Sequence, residues 1–293
     1  MEFLINLVNG LSLGGTYAMI ALGYTMVYGI AKMLNFAHGD IMMVAGYVML
    51  VGLKVNPIFA VVCSILFCTI LGVVIEKVAY KPLRGASPLA VLITAIGISY
   101  FLKSIIMSIP KFGSDSKLVI LFENLGKLKI TEELQIGYYT LITLAISVVV
   151  MVALTMFVKF TKTGRAMIAV SEDKDAARLM GINVDFIITL TFAIGSALAA
   201  IACFCILIDP ATCAVTPEFG STRGITAFAA AVIGGIGSIP GAMLGGVLLG
   251  VIECIFNATP LADYTMAIEF FILIIILLVR PNGLLGKKRR EKV

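Results

Sequence analysis

The sequence predicts an all-α polytopic membrane protein, and its composition and its long apolar runs carry that prediction. Of the 293 residues, 60% are hydrophobic and only 13% are charged, whereas soluble proteins carry about 25% charged residues. A membrane-spanning helix needs about 20 apolar residues, and uncharged runs of that order occur at 3–31, 55–75, 134–158, 186–208 and 224–252. The remaining stretches are too short to bury a core of their own. We therefore expect 1–293 to form a single transmembrane domain.

The apolar runs and their boundaries predict eight or nine transmembrane helices. The first run is interpreted as a retained span rather than a signal peptide, because no basic residue precedes Lys32. The second helix and the closely spaced seventh and eighth helices are candidates for broken or re-entrant segments. The approximate ranges are 4–30, 36–53, 57–76, 88–109, 136–158, 186–208, 222–238, 240–258 and 264–279.

The distribution of Lys and Arg predicts which side of the membrane each loop occupies, since cytoplasmic loops collect basic residues. With nine spans and the basic tail 280–293 inside, the N-terminus lies outside and the C-terminus is cytoplasmic. Fifteen of the 22 basic residues then fall inside, including those of 77–84 and 159–185. The segment 103–133 fits least well, because it holds five lysines outside, although four acidic residues offset them.

The composition excludes several kinds of chemistry. His38 is the single histidine, so neither a His-rich metal site nor a two-His zinc motif is expected. The six cysteines include no C-x-x-C pair, and a disulfide framework is not expected. The glycine-rich stretch 234–241 lacks the G-K-[ST] ending of a phosphate-binding loop. The chain is therefore expected to hold no metal and no cofactor, to bind no nucleic acid, and to contact membrane lipid.

Glycines at four-residue spacing predict closely packed helices, because small residues one turn apart let two backbones approach each other. The spacing favours packing within the chain over a subunit interface. In 224–258 it predicts a tightly packed helix pair. The glycines are Gly10 and Gly14 in the first helix, and Gly237, Gly241 and Gly245 in the later region, where Gly246 and Gly250 repeat the spacing.

Polar side chains interrupt the apolar background at 32–40, where Asn35, His38 and Asp40 occur close to membrane depth. Polar groups there are costly unless they face a partner or a water-filled cavity, which favours a polar pathway. A short cytoplasmic turn, with Asp40 capping a helix, is an equally good interpretation. If a helix begins near Asn35, its free amide groups and positive dipole end would face a substrate carboxylate.

The segment 159–185 is the longest polar stretch on the predicted cytoplasmic side. Lys174 to Met180 are good helix formers, and Gly181 is a plausible end signal. Small or flexible apolar residues such as Ala176 and Ala177 suit insertion into the groove of a partner protein. By itself, however, a charged loop is more often a solvated face.

Several motifs together resemble the LivH-type permease subunit of branched-chain amino acid ATP-binding cassette transporters. The resemblance covers nearly the whole chain. The motifs are GLSLGGTYAMIALGYTMVYG at 10–29, LNFAHGD at 34–40, GRA at 164–166, EDKDAARLMGIN at 172–183, GGIGSIPGA at 234–242 and RPNGL at 280–284.

The resemblance implies a permease that carries leucine, isoleucine or valine into a bacterial cell through the inner membrane, without enzymatic activity of its own. It also implies three kinds of protein partner: a second, LivM-like permease, two ATPase subunits that bind and hydrolyse ATP, and an extracytoplasmic amino-acid-binding protein. Part of 159–185 looks like the cytoplasmic coupling helix that docks on an ATPase, although the later I-x-L-P part of that importer pattern is absent. The residues expected to couple to the ATPase are Gly164, Arg165, Glu172, Asp173, Ala176, Ala177 and Gly181.

Other functions stay open beside the import permease. Related permeases move urea, short amides or other amino acids, and no side-chain pattern in the sequence selects leucine over these. An ion-coupled secondary transporter usually has buried carboxylates, and the candidates here, Asp40, Glu76, Glu253 and Glu269, lie near predicted helix ends or beside short spans. A membrane-embedded enzyme is disfavoured by the single histidine and by the lack of a nucleophile and base pair.

Overall fold

The structure, a computed structural model, describes residues 2–122, 125–129 and 135–286. The seven terminal residues 287–293 of the predicted basic tail lie outside the described residues. The described helices are α1 Glu2–Ala31, α2 His38–Gly52, α3 Pro57–Ile75, α4 Pro88–Ser108, α5 Tyr138–Phe160, α6 Lys162–Glu172, α7 Lys174–Leu179, α8 Val184–Leu207, α9 Phe219–Gly234, α10 Ile239–Asn257 and α11 Thr265–Val279.

The strands are very short and lie between or after the long helices. β1 Lys117–Leu118 pairs antiparallel with β4 Ala214–Val215, and β2 Lys127–Lys129 pairs antiparallel with β3 Gln135–Gly137. A π-helical segment, Glu76–Tyr80, and a 3-10 turn, Lys81–Leu83, continue α3, and a second 3-10 turn, Ala262–Tyr264, precedes α11. The prediction of an all-α polytopic membrane fold is confirmed.

Seven helical segments are long and apolar enough to cross a membrane. They contain α1, α3, α4, α5, α8, α10 and α11, and several of them expose large apolar side chains such as Ile58, Phe101 and Leu278. By contrast, α2 has 15 residues and α9 has 16. At 1.5 Å per residue these two helices are about 22–24 Å long, which is less than the roughly 30 Å hydrocarbon core. We call α2 and α9 half-helices, because each is too short to cross the membrane, and both pack inside the bundle.

Glycines fix the positions of α1, α9 and α10. A Cβ added at Gly14 would lie 2.7 Å from Val247 Cα, and one at Gly10 would lie 2.9 Å from Val251 Cα, so α1 and α10 are in backbone contact. Gly241 and Gly245 pack in the same way against α9 rather than α1. The prediction that Gly237 lies within a helix is wrong. Its φ of 94° places it in the turn after α9, which ends at Gly234 instead of continuing to 238.

The two half-helices begin at the middle of the bundle and run in opposite directions. His38, the first residue of α2, packs against Gly23 of α1, and Gly23 in turn lies against Gly195. Because Gly195 is at the centre of α8, a helix that crosses the whole bundle, α2 begins at mid-depth. Gly39 of α2 contacts Gly220 of α9, so α9 begins at the same depth.

Candidate functional site

The crossing of α2 and α9 is the most unusual feature of the bundle. A Cβ added at Gly220 would lie 2.1 Å from the carbonyl oxygen of Gly39, and one at Gly39 would lie 2.3 Å from the carbonyl oxygen of Gly220. Gly220 also faces Met43, one turn further along α2, while Gly224 faces Gly39. The first turns of the two helices are therefore antiparallel and in backbone contact. Any side chain at these glycines would separate them.

The N-termini of both half-helices lack side-chain caps. Ala37 precedes α2 and Glu218 precedes α9, and neither accepts a hydrogen bond through its side chain from the first turn. Some full-length helices differ in this respect, since Asn183 caps α8 and Ser238 caps α10, whereas α5 and α11 also begin without a side-chain cap. Uncapped amide groups and the positive end of the helix dipole attract negative charge. Two such ends converge at the crossing.

A cavity of about 190 Å³ lies beside the crossing and is bounded on its far side by α4. Asp40, in the first turn of α2, lines it and accepts a 3.3 Å hydrogen bond from the Ser221 hydroxyl of α9. Tyr24 of α1 and Ser99 of α4 add further hydroxyl groups. The cavity therefore combines a carboxylate, three hydroxyl groups and two helix N-termini within an otherwise apolar bundle.

The structure separates the three residues predicted to line a polar pathway. Asp40 lines the cavity and does not cap α2. His38 packs instead against α1, with its ring 4.7 Å from that of Tyr24, and its Nε2 atom has no hydrogen-bond partner within the described ranges of the chain. Asn35 is buried before α2 and accepts a 2.9 Å hydrogen bond from the Tyr80 hydroxyl. The interpretation of 32–40 as a simple cytoplasmic turn is wrong, because all three side chains are at most 3% exposed.

Ser221, Gly220 and Tyr80 belong to this site, although the sequence interpretation did not single them out. Ser221 is 181 positions from Asp40 in the chain, and Tyr80 is 45 positions from Asn35. No local motif marks such long-range pairs. The best available signal was the Gly220, Gly224 spacing, which repeats the four-residue pattern that marks the other glycine contacts.

A partly buried ion-pair network connects the segment before α2 to the cytoplasmic side that the basic residues predict. Arg84, after the 3-10 turn, pairs with both Glu76 and Asp185. The Glu76 side chain is fully buried, and it also accepts a 2.7 Å hydrogen bond from Thr189 of α8. Glu76 begins the π-helical segment that ends at Tyr80. The partner of Asn35 is thus held in a segment anchored to the start of α8.

The predicted coupling segment folds as two short helices, α6 and α7, which agrees with the helix expected from Lys174 onwards. Thr161 caps α6 through a 2.9 Å hydrogen bond from the Gly164 amide, and Asp173 caps α7 by accepting from Asp175 and Ala176 at 3.0 Å. After α7 the chain turns at Gly181, whose φ is 81°. The starts of α6 and α7 and the end of α7 are therefore each set by residues that are close in sequence.

The residues predicted to couple to an ATPase differ in exposure. Gly164 is buried against Phe157 and Val158, and Ala177 is 3% exposed, so both pack within the chain. Arg165, Glu172, Ala176 and Gly181 are exposed, and Asp173 is half-buried. Two residues not in the predicted set, Leu179 and Met180, are 89% and 82% exposed. The end of α7 thus presents the most exposed apolar side chains of this segment.

Lys174 connects α7 to the end of α1. Its Nζ donates a 2.8 Å hydrogen bond to the carbonyl oxygen of Ala31, the last residue of α1. Burial, followed by repulsion from Arg84 and Arg178, lowers the pKa of Lys174 below its usual value. Lys174 thus joins the start of α7 to the point where the chain leaves α1 towards α2.

Half-helices that meet with uncapped N-termini at mid-bundle define the class of protein. Such discontinuous helices are the way in which membrane transporters expose backbone groups to a substrate. The chain is a multi-pass membrane protein with the architecture of a transporter.

Comparison with known proteins identifies the family. The model of a protein family described as "Branched-chain amino acid transport system / permease component" matches residues 6–277 of this chain. A high-affinity branched-chain amino acid permease, BraD of Pseudomonas aeruginosa, is 44% identical over 100% of this chain and 98% of its own length. LivH of Escherichia coli K12 is 40% identical over the same shares of the two chains. A probable LivH from Methanocaldococcus jannaschii is 28% identical over 92% of this chain and 88% of its own. The chain belongs to the branched-chain amino acid permease family, and the predicted resemblance is confirmed.

Proposed function

We propose that this chain is the transmembrane permease subunit of an ATP-binding cassette importer that moves leucine, isoleucine and valine into the cell. The observation that carries the proposal is the convergence of the uncapped ends of α2 and α9 on one cavity. The relatives at 40–44% identity are named as high-affinity branched-chain amino acid permeases. The carboxylate that every amino-acid substrate carries would interact favourably with the N-terminal ends of α2 and α9.

The proposed partners are a second, LivM-like permease, two ATPase subunits and an extracytoplasmic amino-acid-binding protein. ATP binds to the ATPase subunits, and this chain contributes no catalytic residue and holds no cofactor. The N-terminus lies outside and the C-terminus in the cytoplasm, which places 77–84, 159–185 and 280–293 on the cytoplasmic face. The whole chain forms one permease domain, with 159–185 as its coupling loop.

The proposed mechanism is a rigid-body movement that starts at α7. ATPase closure would displace α7, and Lys174 would transmit the displacement to the end of α1. The Arg84 and Asp185 pair and the Tyr80 and Asn35 hydrogen bond would carry it from α8 to the entrance of α2. Such coupling requires two discrete arrangements, each favoured by a different state of the ATPase.

Residues of the coupling segment 159–185 can test ATPase docking only if their side chains are exposed in this chain. Ala177 is buried, so a charged side chain there would disrupt α7 itself. Leu179 and Met180 are the better probes, because they are exposed in the chain and would become buried against an ATPase. An exposed apolar pair at the end of a short helix suits a groove in a partner protein.

Ion-coupled secondary transport is the second candidate, and buried carboxylates favour it. Asp40 and Glu269 are 1% and 3% exposed, more buried than their positions near helix ends suggested. Reconstitution separates the two functions. We expect leucine uptake into proteoliposomes only when the chain is assembled with its partners and ATP is supplied on the cytoplasmic side. Uptake by the chain alone, driven by a sodium or proton gradient, would overturn the importer proposal.

A further inference from the structure

A second cavity, of about 340 Å³, lies among α1, α9, α10 and α11. We call it the outer cavity, because the 3-10 turn Ala262–Tyr264 lies at its mouth and that turn faces outside in the proposed orientation. It is separated from the crossing cavity by α9, whose Gly220 and Ser221 face the crossing and whose Arg223 and Thr226 face the outer cavity. Its polar lining includes Tyr17, Arg223, Thr226, Glu253, Thr265 and Glu269.

Two carboxyl groups in this cavity have unused hydrogen-bonding capacity. Glu269 is 3% exposed, and its Oε1 atom has no hydrogen-bond partner among the described residues. The Oε2 atom of Glu253, on the neighbouring helix, is buried and likewise has no donor among the described residues, although the two carboxyl groups lie within hydrogen-bonding reach of each other. A buried polar group without a partner costs free energy, more so when it is charged. Both atoms belong to residues that line the cavity, which points to a ligand with positive charge and N–H donors.

Arg223 places the opposite charge in the same cavity. Its guanidinium group lies over the Phe219 ring, 5.6 Å from the ring centre, and it forms no ion pair within 4.0 Å in the described part of the chain. The guanidinium group and the carboxyl groups therefore line one cavity without touching. A simple metal cation would satisfy the carboxyl groups but not the guanidinium group. A ligand with both charges on adjacent atoms satisfies both.

The two carboxyl groups also constrain each other. Glu269 and Glu253 interact electrostatically, and the Tyr17 hydroxyl faces Glu253 from α1. Two neighbouring carboxylates in a low-dielectric setting repel each other unless a positive charge compensates them. The other charged groups that face them are Arg223 on α9 and Asp263 in the 3-10 turn. A bound ammonium group would supply the missing compensation.

We infer that the outer cavity is a binding site for the zwitterionic head of an α-amino acid. The ammonium group would donate hydrogen bonds to Glu253 and Glu269, and the carboxylate would accept hydrogen bonds from the guanidinium group of Arg223. Phe219 and Met266 provide apolar surface for the amino-acid side chain. The volume falls within the range of about 300–1,000 Å³ found for small-molecule sites. This inference rests on the proposed function, since it assumes amino acids as the transported class.

Equilibrium binding to the full-length chain in lipid nanodiscs tests the inference. Three ligands separate the two charges: leucine, leucinamide, which lacks the carboxylate, and 4-methylpentanoate, which lacks the ammonium group. Glu269→Gln removes one charge with little change of shape, and Arg223→Gln removes the opposite charge together with the outer part of the side chain. Asp115→Asn is the matched control, because its carboxylate is 82% exposed and does not line the cavity.

We expect the unmodified chain to bind leucine at least about tenfold more tightly than either analogue, since each analogue lacks one of the two groups that form charge-assisted hydrogen bonds. Glu269→Gln should abolish the preference over 4-methylpentanoate, and Arg223→Gln the preference over leucinamide. Asp115→Asn should keep both preferences. A preference is a ratio measured on one preparation, so partial misfolding of a variant does not change it.

Three results would overturn the inference: no leucine binding to the unmodified chain, unchanged preferences in Glu269→Gln, or sodium binding that leucine does not compete with. Leucine bound only at the crossing cavity would give the second result, because Glu269 does not line that cavity. ATP-driven leucine uptake by the assembled importer is measured separately. If uptake is present and the preferences are unchanged, the inference fails while the proposed function stands. If uptake is absent, the proposed function fails.

Discussion

The contact between α2 and α9 leads to a sharp prediction for Gly220→Ala. The added Cβ would lie 2.1 Å from the carbonyl oxygen of Gly39, whereas ordinary contacts begin at 3.4 Å. The two first turns must therefore separate by about 1.3 Å. Overpacking of this kind costs about 1–3 kcal/mol, and a displacement near 1 Å at a functional site costs on the order of 100-fold in rate. We expect uptake to fall at least about tenfold.

Leucine uptake by cells that carry the complete importer measures this effect, normalised to the amount of the chain in the membrane. Gly97→Ala is the matched control: it adds the same methyl group within helix α4, where a Cβ would meet nothing within 4 Å. We expect the control to transport at the rate of the unmodified chain. Normal uptake by Gly220→Ala would refute the reasoning that the crossing is a functional contact.

Three further predictions concern the connection between the cytoplasmic side and the crossing. Tyr80→Phe leaves Asn35 without its buried partner, so we expect a loss of about 1–3 kcal/mol in stability and reduced uptake with ATPase binding retained; normal melting temperature and uptake together would contradict this. Arg84→Gln leaves the Glu76 carboxylate buried and uncompensated, and we expect a loss of about 3–5 kcal/mol that Glu76→Gln partly restores in the double variant; additive losses in a double-mutant cycle would exclude the pairing. Leu179→Asp should abolish co-purification of the ATPase at unchanged thermal stability, because this side chain is 89% exposed; full co-purification would remove α7 from the docking surface.

The sequence predicts the helices well because apolar runs in a membrane protein report directly on its spans. The nine apolar segments have their counterparts in α1–α5 and α8–α11. The end of α7 before Gly181 was also predictable, since glycine is the residue that most readily adopts the positive φ needed just after a helix. The end of α9 was misjudged by four residues, because the chain turns at Gly235 and Gly237 inside a run that is apolar throughout.

The site was only partly predictable, because its contacts join distant parts of the chain. The polarity of 32–40 correctly marked an unusual segment, yet it could not show that Asp40 meets Ser221 while His38 packs on Gly23. The importance of Glu269 was underestimated for a similar reason. The sequence places it near the start of a predicted helix, and only the structure shows that Glu253 and Tyr17 from other helices face it in the second turn of α11.

The sidedness of α7 tests most directly whether this chain is driven from the cytoplasm. Cysteines introduced at Leu179 and at Asp263 are labelled with a membrane-impermeant maleimide, first on sealed cells and then on inverted vesicles, with the unmodified chain as background. We predict that Asp263→Cys reacts on sealed cells and Leu179→Cys only on inverted vesicles. Reaction of Leu179→Cys on sealed cells would place α7 outside, beyond the reach of any ATPase, and would contradict the account.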